Sequence, residues 1–461
     1  MAVPSEFQVL HTEAKEIFFD ALKACDIASS FDRRIRFEGD VLHRLAADGT
    51  DSSTIDISSF KQVFVVALGK AAGPMLDVLL DRMKRRTGLK GIYCSNEPSK
   101  SRDSRFQFFE GGHPVPNQES FAAARAALTL LKTAGKDTLI FFLISGGGSA
   151  MFELPLNPEI TLEETITFHR LLLGSGAPIN QVNTLRKHFS AVKGGRLAMA
   201  APDAMKVNLL LPDVPLQSLD ALSSGPTSPN SSTFVEVREL MDRYALDAKL
   251  PESVRKIFEQ DYEGVRLTPR SGAMSARSEE ESAFRNSWFE ILLSSDDLVK
   301  SARAIAEKAG YHVVVDNSCD DWDYTEAARY LLDQFHTLRK RYPRFCLISG
   351  GEVTVTLNDK PGFGGRNQQF VLQCALELDR HRGQRLAVLS AGSDGIDGNT
   401  QAAGAIADVT TVARAQALGY DAEVSLRAFD ACTLFTALGD LVITKSTGHN
   451  LRDLRLLISE F

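Results

Sequence analysis

The run TLIFFLI at 138–144 passes without interruption into Ser145-Gly146-Gly147-Gly148-Ser149. An unbroken apolar run that stops at glycines reads as a strand buried on both faces, not as one alternating between core and solvent. Such a strand belongs to a sheet covered by helices on each side. The three glycines at its end let backbone N–H groups approach an anion without side-chain obstruction.

The same pattern recurs along the chain. KQVFVVAL (61–68) leads to Gly69-Lys70 and a helical stretch over 71–84, and KVNLLL (206–211) leads to Pro212-Asp213-Val214-Pro215. Further apolar runs at 289–293, 312–315, 344–348, 386–390 and 441–444 alternate with helical stretches such as 297–309 and 368–378. The pentapeptide LISGG occurs twice, at 143–147 and 347–351, each time closing an apolar run. The expected fold class is α/β: two α/β/α, Rossmann-like domains with parallel or mixed sheets. The stretch 267–286, rich in Ser, Arg and Glu, has neither period and reads as a linker or surface insertion. It divides the chain into an N-terminal α/β domain over 1–266 and a C-terminal one over 287–461.

At 461 residues the chain is long enough for two to three cores. Apolar residues at 44% and charged residues at 24% are the balance of an ordinary globular protein. A net charge of −7 and a pI near 5.8 lack the electrostatic footprint of a nucleic-acid binder. The six cysteines form no CxxC pair, which fits a reducing compartment and argues against structural zinc or a disulfide framework. No apolar run approaches the length of a membrane span, and the acidic N-terminus disfavours a leader. The expected location is the cytoplasm.

Lys70 ends a strand and opens a helix. A cation there meets the positive end of the helix dipole unless an anion shares the site. Arg366 follows the glycine-rich turn Pro361-Gly-Phe-Gly-Gly365, where its planar fork can meet a phosphoryl or carboxylate group. Asp394 and Asp397 sit on the loop AGSDGIDG (391–398), and Glu352 follows the second LISGG. One or two carboxylates with waters and phosphates is how Mg²⁺ is usually held, so these three are candidates for a metal or a general base. His113 is held between glycines and a proline in GGHPVP (111–116). The segment 180–196 places Asn183, Arg186 and Lys187 on one helical face, followed by Lys193 and Arg196, and is a candidate for binding a small carboxylate.

Taken together, the blocks ALGKAA (67–72), GGHPVPN (111–117), LISGGGSA (143–150), NTLRKHFSAVKGGRLA (183–198), SSGPT (223–227), SGGEVTVT (349–356), PGFGGRNQQFVL (361–372), SDGIDGNTQAAGAIAD (393–408) and TGHNLRDL (447–454) resemble the class II glycerate kinases of the MOFRL family. That resemblance implies phosphorylation of D-glycerate by ATP, to 2-phosphoglycerate. It also implies an active site in a cleft between two α/β domains, with Lys70 and Arg366 as the catalytic cations. On this reading Ser145 to Ser149 cradle phosphates, and His113, Asn183, Arg186, Lys193 and Asn450 bind substrate. Asp394, Asp397 and Glu352 are left for Mg²⁺ or the hydroxyl proton. A homodimer is the candidate assembly, with no nucleic-acid or membrane partner. Three departures stand out: Asp213-Val-Pro215 runs into LQSL, Lys445 precedes TGHN, and 267–286 looks inserted. Two other readings compete. An NAD(P)-linked hydroxypyruvate reductase would need a GxGxxG turn, which is absent. A non-catalytic phosphometabolite-binding protein leaves the lysine, arginine and aspartates without a shared purpose.

Overall fold

A computed structural model describes residues 5–46, 49–83, 88–259, 283–358, 360–381, 384–444 and 447–460. The chain forms two α/β units: Ile27–Leu292, and Met1–Asp26 joined with Leu293–Phe461.

The first unit begins with a small antiparallel sheet of β1 (Ile35–Glu38), β2 (Val41–Leu45) and β3 (Asp51–Asp56), which the sequence reading does not anticipate. Its main sheet contains β4 (Gln62–Leu68), β5 (Leu89–Ser95), β6 (Phe106–Glu110), β7 (Thr138–Ser145), β8 (Met205–Leu211) and β9 (Ser287–Ile291). They lie in the order β6-β5-β4-β7-β8-β9, and every neighbouring pair is parallel. This is the doubly wound order, with its reversal between β4 and β7. All eight residues of β7 are buried, as a strand covered on both faces requires. One face packs Phe64, Ile140 and Phe142 against Ala123, Ala124, Ala127 and Leu131 of the helix Gln118–Leu131. A separate helical cluster, built on Phe168, Phe189, Val237, Met241 and Phe258, carries the basic segment.

The second unit holds β10 (His312–Val315), β11 (Arg344–Gly350), β12 (Leu386–Gly392), β13 (Gly404–Asp408), β14 (Leu441–Val442) and β15 (Asp453–Glu460), in the order β10-β11-β15-β12-β13-β14. β15 runs antiparallel to both β11 and β12. The ends of β11 and β12 therefore share one edge with the start of β15. The helix Arg366–Leu378 packs Phe370 and Leu372 into a core with Leu331, Leu347 and Leu457.

The α/β class and mixed sheet follow the expectation, but the domain boundaries do not. β9 was expected in the C-terminal domain, yet its ladder with β8 makes it the last strand of the first sheet. The N-terminal helix Ser5–Ala24 belongs to the second unit, where Leu10, Ala14, Ile17, Phe18 and Ala21 form one buried helical stripe and His11 Nε2 meets Asp408 at 2.9 Å. Most of the expected linker lies outside the described residues; its last part includes the buried Ala283. Among the described residues no helix is long and apolar enough to cross a membrane. Because Phe18 is fully buried, Phe18→Ala should destabilise the second unit by roughly 3–5 kcal/mol. Urea unfolding followed by tryptophan fluorescence measures this; a loss below about 1 kcal/mol would mean the helix is loosely docked.

Candidate active site

In the first unit the β4 and β7 ends meet where the winding reverses, the place where open α/β sheets bind ligands. Ser145 joins them. Its Oγ donates to the Leu68 carbonyl at 3.3 Å and accepts from the Ala71 N–H at 3.0 Å, while the Lys70 N–H donates to the Gly146 carbonyl at 2.9 Å. Gly69 has φ +104°, and a Cβ on it would collide with the Ser145 carbonyl and hydroxyl. Gly147, at φ +85°, lies against the Lys70 side chain and the His113 ring. The expected neighbours Lys70, His113 and Ser145 to Gly148 are thus brought together.

Ser149 Oγ is 2.8 Å from Ser224 Oγ, which donates to Asn183 Oδ1 at 3.0 Å. The Arg186 Nη1 reaches the same Asn183 oxygen at 3.5 Å. Arg186 is only 4% exposed, and its Nε has no hydrogen-bond partner. Burial lowers its pKa to about 10, so it stays protonated at neutral pH. His113 is exposed at the rim, but partial burial and the nearby Lys70 and Arg186 cations push its pKa down to about 4. It is a neutral imidazole beside two cations.

The rest of the basic segment is occupied. Lys187 Nζ bonds Asp220 at 2.6 Å. Lys193, expected to bind substrate, points inward at 1% exposure, donating to Glu153 Oε2 at 2.8 Å and the Phe152 carbonyl at 3.0 Å. Its ammonium is a buried counter-ion, unavailable to a carboxylate ligand. Glu153 also accepts from His169 Nε2 at 3.0 Å. Burial alone would raise the Glu153 carboxyl, but Lys193 and His169 hold it down at about 2.

In the second unit a cluster forms where β11, β12 and β15 share an edge. Arg366, first residue of its helix, donates from Nε and Nη2 to the two Asp453 oxygens at 2.5 and 3.0 Å, and its Nη2 lies 2.7 Å from Glu352 Oε1. Burial alone would lower the guanidinium pKa, but Asp453, Glu352 and Asp397 carry it above its ordinary value. The paired aspartates separate. Asp397 is 2% exposed and accepts the N–H groups of Asn367 at 3.1 Å and Gln368 at 2.9 Å. It caps the Arg366 helix in place of Gly365, which has no side chain to do so. Burial pushes its carboxyl up to about 6 against those bonds. Its oxygens are committed to the helix, which corrects the metal or base role expected for it. Asp394 is half-buried and accepts the Ile396 N–H at 3.1 Å. Asp394 and Asp453 oxygens flank Gly392, each 3.3 Å from where a Cβ would stand. Asn450 accepts from Ser393 Oγ at 3.5 Å, which ties the 447–450 loop beside Asp394.

Known proteins give this arrangement a context. A family model described as a domain of unknown function (DUF4147) matches residues 13–259, and the MOFRL family model matches residues 345–453. A D-glycerate 2-kinase of Thermotoga maritima is 32% identical over 88% of this chain and 93% of its own. A crystal structure of a Thermotoga maritima glycerate kinase, 30% identical, superposes with TM-score 0.78 over 98% of this chain and 100% of that one. The chain belongs to the glycerate kinase family. One relative, from Agrobacterium vitis, bears a provisional hydroxypyruvate reductase name at 33% identity over 86% of each chain.

Within the glycerate kinase chain, sequence reasoning missed Asp453, Ser223, Ser224, Glu153 and Asp213. Ser223 and Ser224 were in a quoted block, and Ser223 Oγ donates to the Ser145 carbonyl at 2.7 Å. Asp213 leans on Gly146, where a Cβ would overlap its carboxylate. Glu153 carried no signal, because a lone glutamate after a strand-end loop is ordinary until its buried partners are known. Glu153→Gln leaves Lys193 buried without a counter-charge and should cost roughly 3–5 kcal/mol at pH 7. Because the folded pKa is depressed, the Glu153 contribution is present above about 4.5 and lost as pH falls toward 2. Denaturant unfolding of both proteins at pH 7 and pH 3.5 tests this; a gap that does not narrow at low pH contradicts the ionised pair.

Proposed function

We propose that the protein is a glycerate kinase that transfers the γ-phosphoryl group of ATP to D-glycerate, forming 2-phosphoglycerate. The observation that carries this reading is Lys70 against Gly147 of the triple-glycine loop, at the switch point of a parallel sheet, in a chain of this family. Phosphoryl transfer needs positioning and charge neutralisation more than covalent chemistry from the protein. The Gly146-Gly147-Gly148 backbone and Ser149 offer donors to phosphate oxygens. Lys70 in the first unit and Arg366 in the second each offer a cation to a phosphate oxygen. Arg186, with Asn183 and Ser224 beside it, takes an anionic group of substrate, and neutral His113 can hydrogen-bond it without adding charge. Asn450 lines the Asp394 side.

A divalent cation such as Mg²⁺ suits a half-buried carboxylate on a strand-end loop, and Asp394 is the residue that would hold it, with Glu352 nearby on Arg366. Among the described residues no three His, Cys, Asp or Glu side chains are grouped to hold a metal by themselves. A cation here would take its other ligands from phosphate and water. When bound, it would neutralise phosphate charge. Asp394 also remains the candidate acceptor of the hydroxyl proton.

³¹P NMR of purified protein with D-glycerate and Mg·ATP should show a 2-phosphoglycerate resonance that grows as ATP falls. A 3-phosphate product would correct the regiochemistry, and no phosphoglycerate would end the kinase reading. Excess EDTA should abolish turnover and added Mg²⁺ restore it. Lys70→Ala should lower kcat by about 10²–10³ with little change in KM for ATP, because the cation acts on charge that develops in the transition state. A folded variant with normal kcat and raised KM would make Lys70 a binding residue only.

A further inference from the structure

Arg366 is not the free cation that its glycine-rich turn suggests. Asp453, 1% exposed at the first position of β15, holds Nε and Nη2 through both carboxylate oxygens. Glu352 differs. It meets the fork at 2.7 Å, from a loop, with its side chain 26% exposed. One carboxylate is fixed by a buried strand; the other is at the solvent side. A buried bidentate carboxylate fixes the plane of a guanidinium, which otherwise turns freely about its long side chain. The helix that carries Arg366 is fixed in turn by Asp397.

We propose that Asp453 is the positioning residue for Arg366, setting the plane of its fork, and that Glu352 is the exchangeable partner whose place an incoming phosphoryl oxygen takes. This rests on the kinase reading for its consequence in turnover, but the clamp itself is a property of the folded chain. Asp453 acts through Arg366 and touches no substrate. With Arg366 absent, its charge no longer matters to the rate.

The test is a double-mutant cycle with a second, activity-independent readout. Asp453→Asn keeps the volume and removes the charge. It should lower kcat by about 10- to 100-fold, the loss usual when a partner orienting a functional group is removed, with KM for ATP changed much less. In an Arg366→Ala background the same change should cause less than about a threefold further loss, since residues acting as one unit are not additive. Glu352→Gln should lower the KM for ATP, because a phosphate oxygen then no longer competes with a carboxylate for Arg366. Independently, phenylglyoxal modification of the Arg366 peptide, followed by mass spectrometry, should be faster in Asp453→Asn than in wild type. Asp453→Ser serves in both assays if the asparagine variant does not fold by circular dichroism.

Full additivity of Asp453→Asn with Arg366→Ala, or unchanged modification of Arg366, overturns the positioning role. A KM for ATP that is unchanged or raised in Glu352→Gln overturns the exchange. An inactive wild type whose Arg366 is still unmasked by Asp453→Asn sinks the kinase reading and leaves the clamp standing.

Discussion

The hydroxyl of Ser145 is the tie on which the first unit's site depends. It is shared between the Leu68 carbonyl and the Ala71 N–H, so the end of β7 is fastened to the turn that leaves β4. Gly69 must then pass against the Ser145 backbone, and only a residue without Cβ fits at that distance and at its positive φ. Lys70 comes next in the chain. Its position above Gly147 is therefore set by hydrogen bonds within the sheet edge, before any ligand arrives. The remaining glycines follow from crowding as much as from openness: Gly146 abuts Asp213 and Gly148 abuts Ser223. A triple glycine here is required by its neighbours, with Gly146 and Gly148 themselves buried.

The two clusters hold their charges differently. Around Lys70 and Arg186, Glu153 is paired with Lys193, Asp213 stands against Gly146, and Arg186 reaches an amide oxygen at 3.5 Å. A guanidinium buried with its Nε unpartnered is destabilising unless an anion completes it. Around Arg366 the carboxylates are shared: Glu352 also acts on Arg452, and Asp453 on the buried Arg455.

What the sequence revealed followed how local each signal was. The buried strands and their glycine ends were legible, because burial on both faces is written in consecutive residues. Lys70 was legible because it stands just beyond such an end, and Arg366 because it follows the glycine-rich turn 361–365. The partner of Arg366 was not: Asp453 lies 87 residues away, joined only by the antiparallel placing of β15 between β11 and β12. Asp394 and Asp397 misled for the converse reason. Three residues apart, they looked like a pair, yet the turn sends one to a helix N-terminus and leaves the other at the rim. The domain boundary failed likewise. A linker can be read from composition, but the strand after it joined the earlier sheet, and the first helix crossed to the later one.

The repeated LISGG shows where local reading stops. Both copies close a buried strand, and both place their second glycine at positive φ, Gly147 at +85° and Gly351 at +100°. At Gly147 the space beside the missing Cβ is bounded by Lys70 and His113, two side chains suited to a ligand. At Gly351 it is filled by Asp320, which accepts the Glu352 N–H at 3.0 Å and grips Arg452 through both oxygens. One turn faces Lys70 and His113; the other fixes the loop that carries Glu352. The identical pentapeptide specifies the turn in both places, and the side chains brought in by distant strands decide what the turn is for.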